Sequence, residues 1–158
     1  MDINLVAALG KTGAVASMSI AAIGSALGTG AAGMAAVGAW KKCYIQKKRA
    51  PFQLAVFAGA PLSQTIYGLI LMLVMQGKIK EIVDNGVAAD ANWLFYLLAG
   101  ILGGTAMGVS AWMQGKAAAG ACDSFAETGE GFTNNLMILG IIETAALFVM
   151  VFILALAL

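Results

Sequence analysis

The sequence contains no histidine, two cysteines, two prolines and few charged residues. The absence of histidine removes the side chain that most often acts as a catalytic base or binds a metal ion. Two cysteines without histidine do not make a zinc site. Charged residues make up 11% of the chain, whereas about 25% is usual in a soluble domain. The nine basic and eight acidic residues leave a net charge of +1, so the chain has no broad field that would attract nucleic acid.

What the sequence has instead is long apolar runs: 61% of its residues are hydrophobic, and its mean hydropathy is +0.89. Four runs are each longer than the roughly 20 helical residues that cross about 30 Å of hydrocarbon. They cover about residues 12–40, 52–77, 92–121 and 132–158. The runs are continuous and lack the alternation of barrel strands. The sequence therefore predicts an all-α membrane protein with four transmembrane helices.

The charges are concentrated between these runs. Of the 17 charged residues (nine basic and eight acidic), 15 lie outside the runs, and only Lys116 and Glu143 lie inside. The segment 41–49 holds five positive charges, and basic loops tend to stay in the cytoplasm. We therefore expect loops 41–50 and 123–131 to be cytoplasmic, with both termini and the 78–91 loop outside.

The two halves of the chain have the pattern of a duplicated helical hairpin. Residues 1–80 form the first repeat, with helices at about 12–45 and 52–77, and residues 81–158 form the second, with helices at about 92–126 and 132–157. The first helix of each repeat carries a stripe of small residues, which allows helix backbones to approach closely in lipid. The stripes indicate packing within a bundle or around a ring axis. They consist of Ser17, Ala21, Gly24, Gly28, Ala31, Ala35 and Ala39, and of Gly100, Gly104, Gly108, Ala111, Gly115, Ala118, Cys122 and Ala126.

Three long polar side chains are predicted to lie at one depth. Glu143 lies 12 positions after Gly131, Gln114 lies 13 positions before Glu127, and Gln64 lies 13 positions after Pro51. Gly131, Glu127 and Pro51 mark the predicted cytoplasmic turns. The three polar side chains are then about 18–20 Å from the turns. A charged carboxylate near the bilayer centre costs at least about 2.5–3.5 kcal/mol, so Glu143 is expected to be protonated or paired with a cation. An acid at this depth indicates a functional site more than a simple contact between helices.

Neutral oxygens surround Gln64 in the sequence. Ser63 and Gln64 offer a hydroxyl and a carboxamide, and Tyr67 shares the helix face of Gln64. Pro61 lacks an N–H group and therefore loosens the carbonyls of the preceding turn. Neutral oxygens with one carboxylate suit a hard cation. A single negative charge matches Na⁺ or H⁺ better than Ca²⁺.

A resemblance to a known family rests on the duplicated hairpin and on three segments, which are Pro61–Gly68 with Gln64 and Tyr67, Gln114–Gly120, and Ile141–Thr144. On these residues the chain resembles the proteolipid K subunit, or c-ring protein, of V-type and A-type rotary ATPases of the sodium type. That protein is the duplicated counterpart of the single-hairpin rotor proteolipid of F-type synthases. The resemblance covers nearly the whole chain.

The resemblance implies a Na⁺ site. In sodium-pumping members, the ion is held by a glutamate on the fourth helix, a glutamine on the third, and a Thr-Gln pair with a backbone carbonyl on the second, while a tyrosine locks the glutamate. The residues of this chain that match these roles are Glu143, Gln114, Ser63, Gln64, the carbonyl of Ala60, and Tyr67. Ser63 stands where Thr is usual, and Ala60 where a larger apolar residue is common. Neither difference removes an oxygen ligand.

The resemblance also implies a rotary mechanism in the plasma membrane of a prokaryote. Copies form a homo-oligomeric ring in contact with lipids, with the first and third helices inside. Glu143 takes an ion from a half-channel at a stator membrane subunit and carries it through lipid, and a stator arginine then displaces it. The cytoplasmic loops contact central-stalk subunits. Other subunits hydrolyse ATP, so the chain is not an enzyme on its own.

Two alternatives remain open. A ring that carries H⁺ needs only the acid in an apolar environment, although the retained glutamines, hydroxyl and tyrosine favour Na⁺. A small four-helix proton-coupled transporter would also have one intramembrane acid, but it does not explain the duplication. Lys116 is expected to extend toward the lipid headgroups, or alternatively to form contacts within the ring.

Overall fold

The structure is a computed structural model that describes residues 2–85 and 93–157. Its helices are α1 (Ile3–Ile45), α2 (Leu54–Gly59), α3 (Ser63–Asp84), α4 (Trp93–Thr128) and α5 (Phe132–Ala157), with a 3₁₀ turn at Ala60–Leu62 between α2 and α3. The segment Leu54–Asp84 is a single crossing unit, so four helical segments are long and apolar enough to span a membrane. The predicted all-α fold with four spans is confirmed.

The first helix begins at Ile3 and not at about residue 12 as the apolar run suggested. Asp2 caps it, since its carboxylate accepts a hydrogen bond from the Asn4 backbone N–H at 3.0 Å. Such a cap satisfies a free N–H group of the first turn. Lys11 lies inside the helix and is exposed, so its charge does not end the helix.

The second span is also longer than predicted, because α3 continues to Asp84 instead of ending near residue 77. Lys78 and Glu81 pair at 3.5 Å across one turn of this extension. The predicted division between residues 80 and 81 therefore falls within α3. Residues 78–84 of the predicted 78–91 loop are helix, whereas residues 86–91 of that loop lie outside the described residues, as do Asn92, Met1 and Leu158. In the second half, α4 begins at Trp93 and ends at Thr128, close to the predicted 92–126.

The small-residue stripes of α1 and α4 face each other. A Cβ atom added to Gly24 would lie 2.0 Å from the carbonyl oxygen of Gly108, and one added to Gly115 would lie 2.2 Å from the Cα of Gly28. Residue numbers rise together in these contacts, so the two helices run parallel. Only glycine permits this separation of the two backbones, which agrees with the packing role expected for small residues in membranes.

The two hairpin turns lie at the same end of the bundle. The rings of Phe57, Phe125 and Phe132 pack there with centroids 5.3–5.9 Å apart. Nearby, Lys42 of α1 forms an ion pair with Glu127 of α4. The turn after α1 and the turn after α4 are therefore on one side, as the loop pattern predicts; the cytoplasmic identity of that side stays a prediction.

Apolar packing is divided into two clusters along the bundle. One cluster, near the turns, includes Leu54, Phe57 and Phe125, and the other includes Leu71 and Met75. The residues between the two clusters along the helices include buried polar side chains. This polar layer contains Ser25, Gln64, Ser110 and Gln114, with Glu143 at its edge.

Candidate ion-binding site

The six residues predicted as an ion site are connected by hydrogen bonds in the polar layer. The Ser63 hydroxyl lies 3.1 Å from the Ala60 carbonyl and 3.1 Å from Gln64 Oε1. Gln64 Nε2 donates to Gln114 Oε1 at 2.9 Å. Gln114 Nε2 in turn donates to Glu143 Oε2 at 3.2 Å, and the remaining member, Tyr67, donates to Glu143 Oε1. The predicted residues therefore meet in space, although their role in ion binding stays a prediction.

The backbone around Pro61 sets the position of Ser63. Pro61 cannot donate a backbone hydrogen bond, and the chain responds with the 3₁₀ turn at Ala60–Leu62. In this turn, the Ser63 N–H donates to the Ala60 carbonyl, which the Ser63 hydroxyl also approaches. The predicted disturbance of the helix at Pro61 is confirmed, and it brings the carbonyl of Ala60 next to the side chain of Ser63.

Glu143 is half-buried on α5, whereas Gln64 and Gln114 are fully buried. Each oxygen of its carboxylate accepts a hydrogen bond from another helix: Oε1 from Tyr67 on α3, and Oε2 from Gln114 on α4. Gln114 also donates to the Leu139 carbonyl at 3.0 Å, one turn before Glu143. The carboxylate is thus oriented from both sides while part of it remains at the surface of the chain.

Ser110, which was not among the predicted site residues, joins three helices of the site. Its hydroxyl donates to the Ile142 carbonyl at 3.0 Å and accepts a hydrogen bond from Gln64 Nε2 at 3.4 Å. Ser110 thereby connects α4 both to α3 and to the backbone just before Glu143. Its position four residues before Gln114 places it on the same helix face. That periodicity is the signal that could have identified it.

The chemistry of this cluster is compatible with a monovalent cation, whose binding here stays a prediction. It offers one carboxylate together with carboxamide, hydroxyl and carbonyl oxygens, which are hard ligands. Among the described residues, no group of three or more His, Cys, Asp or Glu side chains could hold a metal ion. A single carboxylate balances one positive charge, so a bound Na⁺ or H⁺ would leave the site neutral.

Lys116 does not follow the expectation that it extends toward the headgroups. Its Nζ atom lies 4.0 Å from the centroid of the Trp112 ring. Trp112 is one turn before Lys116 and therefore nearer the middle of α4. A cation over an aromatic face is stabilised by the ring quadrupole. Two positions after Gln114, Lys116 points to a different face of α4 and takes no part in the hydrogen-bonded chain around Glu143.

The helices that carry Gln114 and Glu143 are similar to a known protein family. Residues 97–156 match the family model of the ATP synthase C-subunit. This part of the chain is therefore similar to the C-subunit of ATP synthases. The matched residues include most of α4 and nearly all of α5, while α1, α2 and α3 lie outside them. No curated protein matches the chain.

Proposed function

We propose that the chain is a rotor-ring protein of a V-type rotary ATPase that carries Na⁺ across the membrane on Glu143. The observation that carries the proposal is the position of the Glu143 carboxylate. It is held by Tyr67 and Gln114 beside the buried carboxamide of Gln64 and the hydroxyl of Ser63. The match of residues 97–156 to the ATP synthase C-subunit family supports the rotor-ring part of the proposal.

The physical cost of charge in lipid explains how such a site would work. An ionised carboxylate facing hydrocarbon is unfavourable by at least about 2.5–3.5 kcal/mol. Binding of Na⁺ neutralises Glu143, so the loaded protein crosses the lipid-facing part of a rotation at lower cost. Near a stator arginine the carboxylate gains another positive partner, and the ion is released. ATP hydrolysis on other subunits drives the rotation in one direction.

The choice of Na⁺ over H⁺ rests on the number of oxygen-bearing side chains. Protonation of Glu143 requires one acceptor oxygen, whereas Na⁺ requires several ligands around it. The chain places Gln64, Gln114 and Ser63 in one hydrogen-bonded group with Glu143, and both glutamines are fully buried. A buried carboxamide must have partners to offset its desolvation. A Na⁺ site would use the oxygens of both carboxamides as ligands, whereas a proton site requires neither of them.

Carbodiimide labelling of the purified full-length chain in detergent tests this proposal. We expect dicyclohexylcarbodiimide to modify Glu143, and Na⁺ to slow the reaction at constant pH and ionic strength while K⁺ does not. Peptide mass spectrometry would locate the adduct, and Glu143→Gln would remove it. Glu127 is an exposed carboxylate at the turn end and serves as an internal control whose labelling does not depend on Na⁺.

The labelling result separates the candidate functions. Modification that depends on pH but not on Na⁺ would contradict the sodium assignment and favour a proton-carrying ring. Absence of modification at Glu143 would contradict its role as the ion carrier in either ring.

A further inference from the structure

Ser25 of α1 is a buried hydroxyl without a hydrogen-bond partner among the described residues. Only 1% of its surface is exposed, and its Oγ atom is unpaired. Some other helical hydroxyls donate to a carbonyl one turn earlier: Thr29 donates to the Ser25 carbonyl at 2.8 Å, and Thr105 to the Ile101 carbonyl at 2.7 Å. A buried polar group without a partner is unfavourable. The position of Ser25 in the fold therefore requires an explanation.

The contacts between α1 and α3 define what lies opposite this residue. A Cβ atom added to Gly68 would lie 3.0 Å from the Cβ of Ala21, and one added to Gly28 would lie 2.9 Å from the Cβ of Pro61. From Ala21 to Gly28 along α1, the contacted residue of the second span changes from Gly68 back to Pro61. The two segments therefore run antiparallel.

Ser25 and Gln64 occupy equivalent places between these two contacts. Ser25 is four positions after Ala21 and three before Gly28, and therefore shares their helix face. Gln64 is likewise four positions before Gly68 and three after Pro61. Both side chains are buried. Ser25 thus lies at the level of Gln64, on the face of α1 that packs against the second span.

The present hydrogen bond from Gln64 to Gln114 competes for an oxygen that a bound Na⁺ would also use. Gln64 Nε2 donates to Gln114 Oε1 at 2.9 Å and, more weakly, to Ser110 at 3.4 Å. Gln114 Oε1 is also one of the oxygens proposed to coordinate Na⁺. An N–H group directed at that oxygen places a partial positive charge beside the cation. Ion binding therefore favours a different acceptor for Gln64 Nε2.

We propose that Ser25 is a positioning residue of the ion site, whose hydroxyl accepts the Gln64 Nε2–H when Gln114 turns its oxygen to Na⁺. Gln64 then keeps both of its N–H groups paired while its own oxygen also faces the ion. The Ser25 proton is directed to a carbonyl one turn earlier in α1, as the Thr29 proton is. This inference rests on the proposed Na⁺ function and identifies a residue on α1 that acts through Gln64.

The test compares Na⁺ protection against carbodiimide labelling in Ser25→Ala, Ser25→Cys and the unmodified chain. We expect the Na⁺ concentration for half-protection to rise about three- to tenfold in both variants, as expected from the loss of one hydrogen bond in the ion-bound state. The labelling rate without Na⁺ should stay unchanged, because Ser25 has no partner in that state. Ser19→Ala, at an exposed position of the same helix, is the matched control and should leave both quantities unchanged.

Each outcome decides between a hydroxyl role and simple packing. Cysteine nearly preserves the volume of serine but is a weak acceptor. Unchanged protection in Ser25→Cys together with a loss in Ser25→Ala would contradict the inference and indicate packing. Unchanged protection in both variants would contradict it outright while leaving the Na⁺ function intact. If Na⁺ fails to protect the unmodified chain, the sodium function is wrong and this inference falls with it.

Discussion

At the scale of single residues, Glu143 is held in position by hydrogen bonds from side chains of other helices. Tyr67 of α3 and Gln114 of α4 each bind one oxygen of its carboxylate, and Ser110 binds the carbonyl just before it. Three hydrogen bonds from two neighbouring helices therefore restrict the rotamer and the backbone position of a half-buried acid. Such restraint keeps the carboxylate directed at the polar layer and away from lipid.

Tyr67→Phe tests this restraint by removing one oxygen atom. Because the phenol hydroxyl no longer holds Glu143, the carboxylate should become more accessible, and we expect carbodiimide to label it about two- to tenfold faster in the absence of Na⁺, the range of one lost hydrogen bond. Tyr44→Phe makes the same chemical change at an exposed position near the turn end and should leave the rate unchanged. Equal labelling rates in Tyr67→Phe and Tyr44→Phe would show that the phenol does not restrain Glu143.

Residue chemistry allowed the central cluster to be predicted, but not its small members. Long polar side chains in apolar helices stand out in a sequence, and depth counting placed Gln64, Gln114 and Glu143 together. Ser25 and Ser110 are polar, yet both are small, and in membrane helices small residues are equally typical of close packing. Their burial and partners depend on how the helices are rotated about their axes, which composition does not specify.

At the scale of helices, the parallel pair α1 and α4 provides the framework on which the site is built. Their glycines bring the two backbones into contact, and α4 presents Ser110 and Gln114 on a different face toward α3 and α5. The stripe on α4 was predicted closely. On α1, buried Ala32 and Ala36 take the places expected for Ala31 and Ala35, because adjacent alanines give no sequence signal for which of them faces inward.

Alanine substitution at two glycines of α1 tests this helix contact. Gly24→Ala would place a methyl group 2.0 Å from the Gly108 carbonyl oxygen, and forced separation of packed backbones typically costs about 1–3 kcal/mol. Gly30→Ala adds the same group where nothing lies within 4 Å, so the better helix propensity of alanine should stabilise the chain by up to about 1 kcal/mol. Thermal unfolding in detergent should therefore give opposite shifts in midpoint. A midpoint for Gly24→Ala equal to or above that of the unmodified chain would contradict the observed α1–α4 contact.

At the scale of the whole molecule, one chain supplies a complete set of the proposed ligands, yet its acid lies at an exposed edge. Large apolar side chains cover the outer surface of α5, including Phe148, Phe152 and Leu156, each more than 60% exposed. Met34 and Val37 of α1 are similarly exposed. Apolar surface on both helices suits contact with lipid and with further copies of the chain, and a ring places such copies side by side.

Glu143→Gln separates assembly of the proposed ring from ion transport. Glutamine has nearly the same shape as glutamate and keeps an oxygen that can accept the hydrogen bond from Tyr67. We therefore expect both the unmodified and the substituted chain to migrate as a large, SDS-resistant homo-oligomer. Transport by the complete ATPase complex should fall to background in Glu143→Gln, because the neutral side chain no longer balances the charge of Na⁺. A particle no larger than a dimer would contradict the ring for both chains. Retained transport with an intact ring would show that the ion is carried elsewhere than on Glu143.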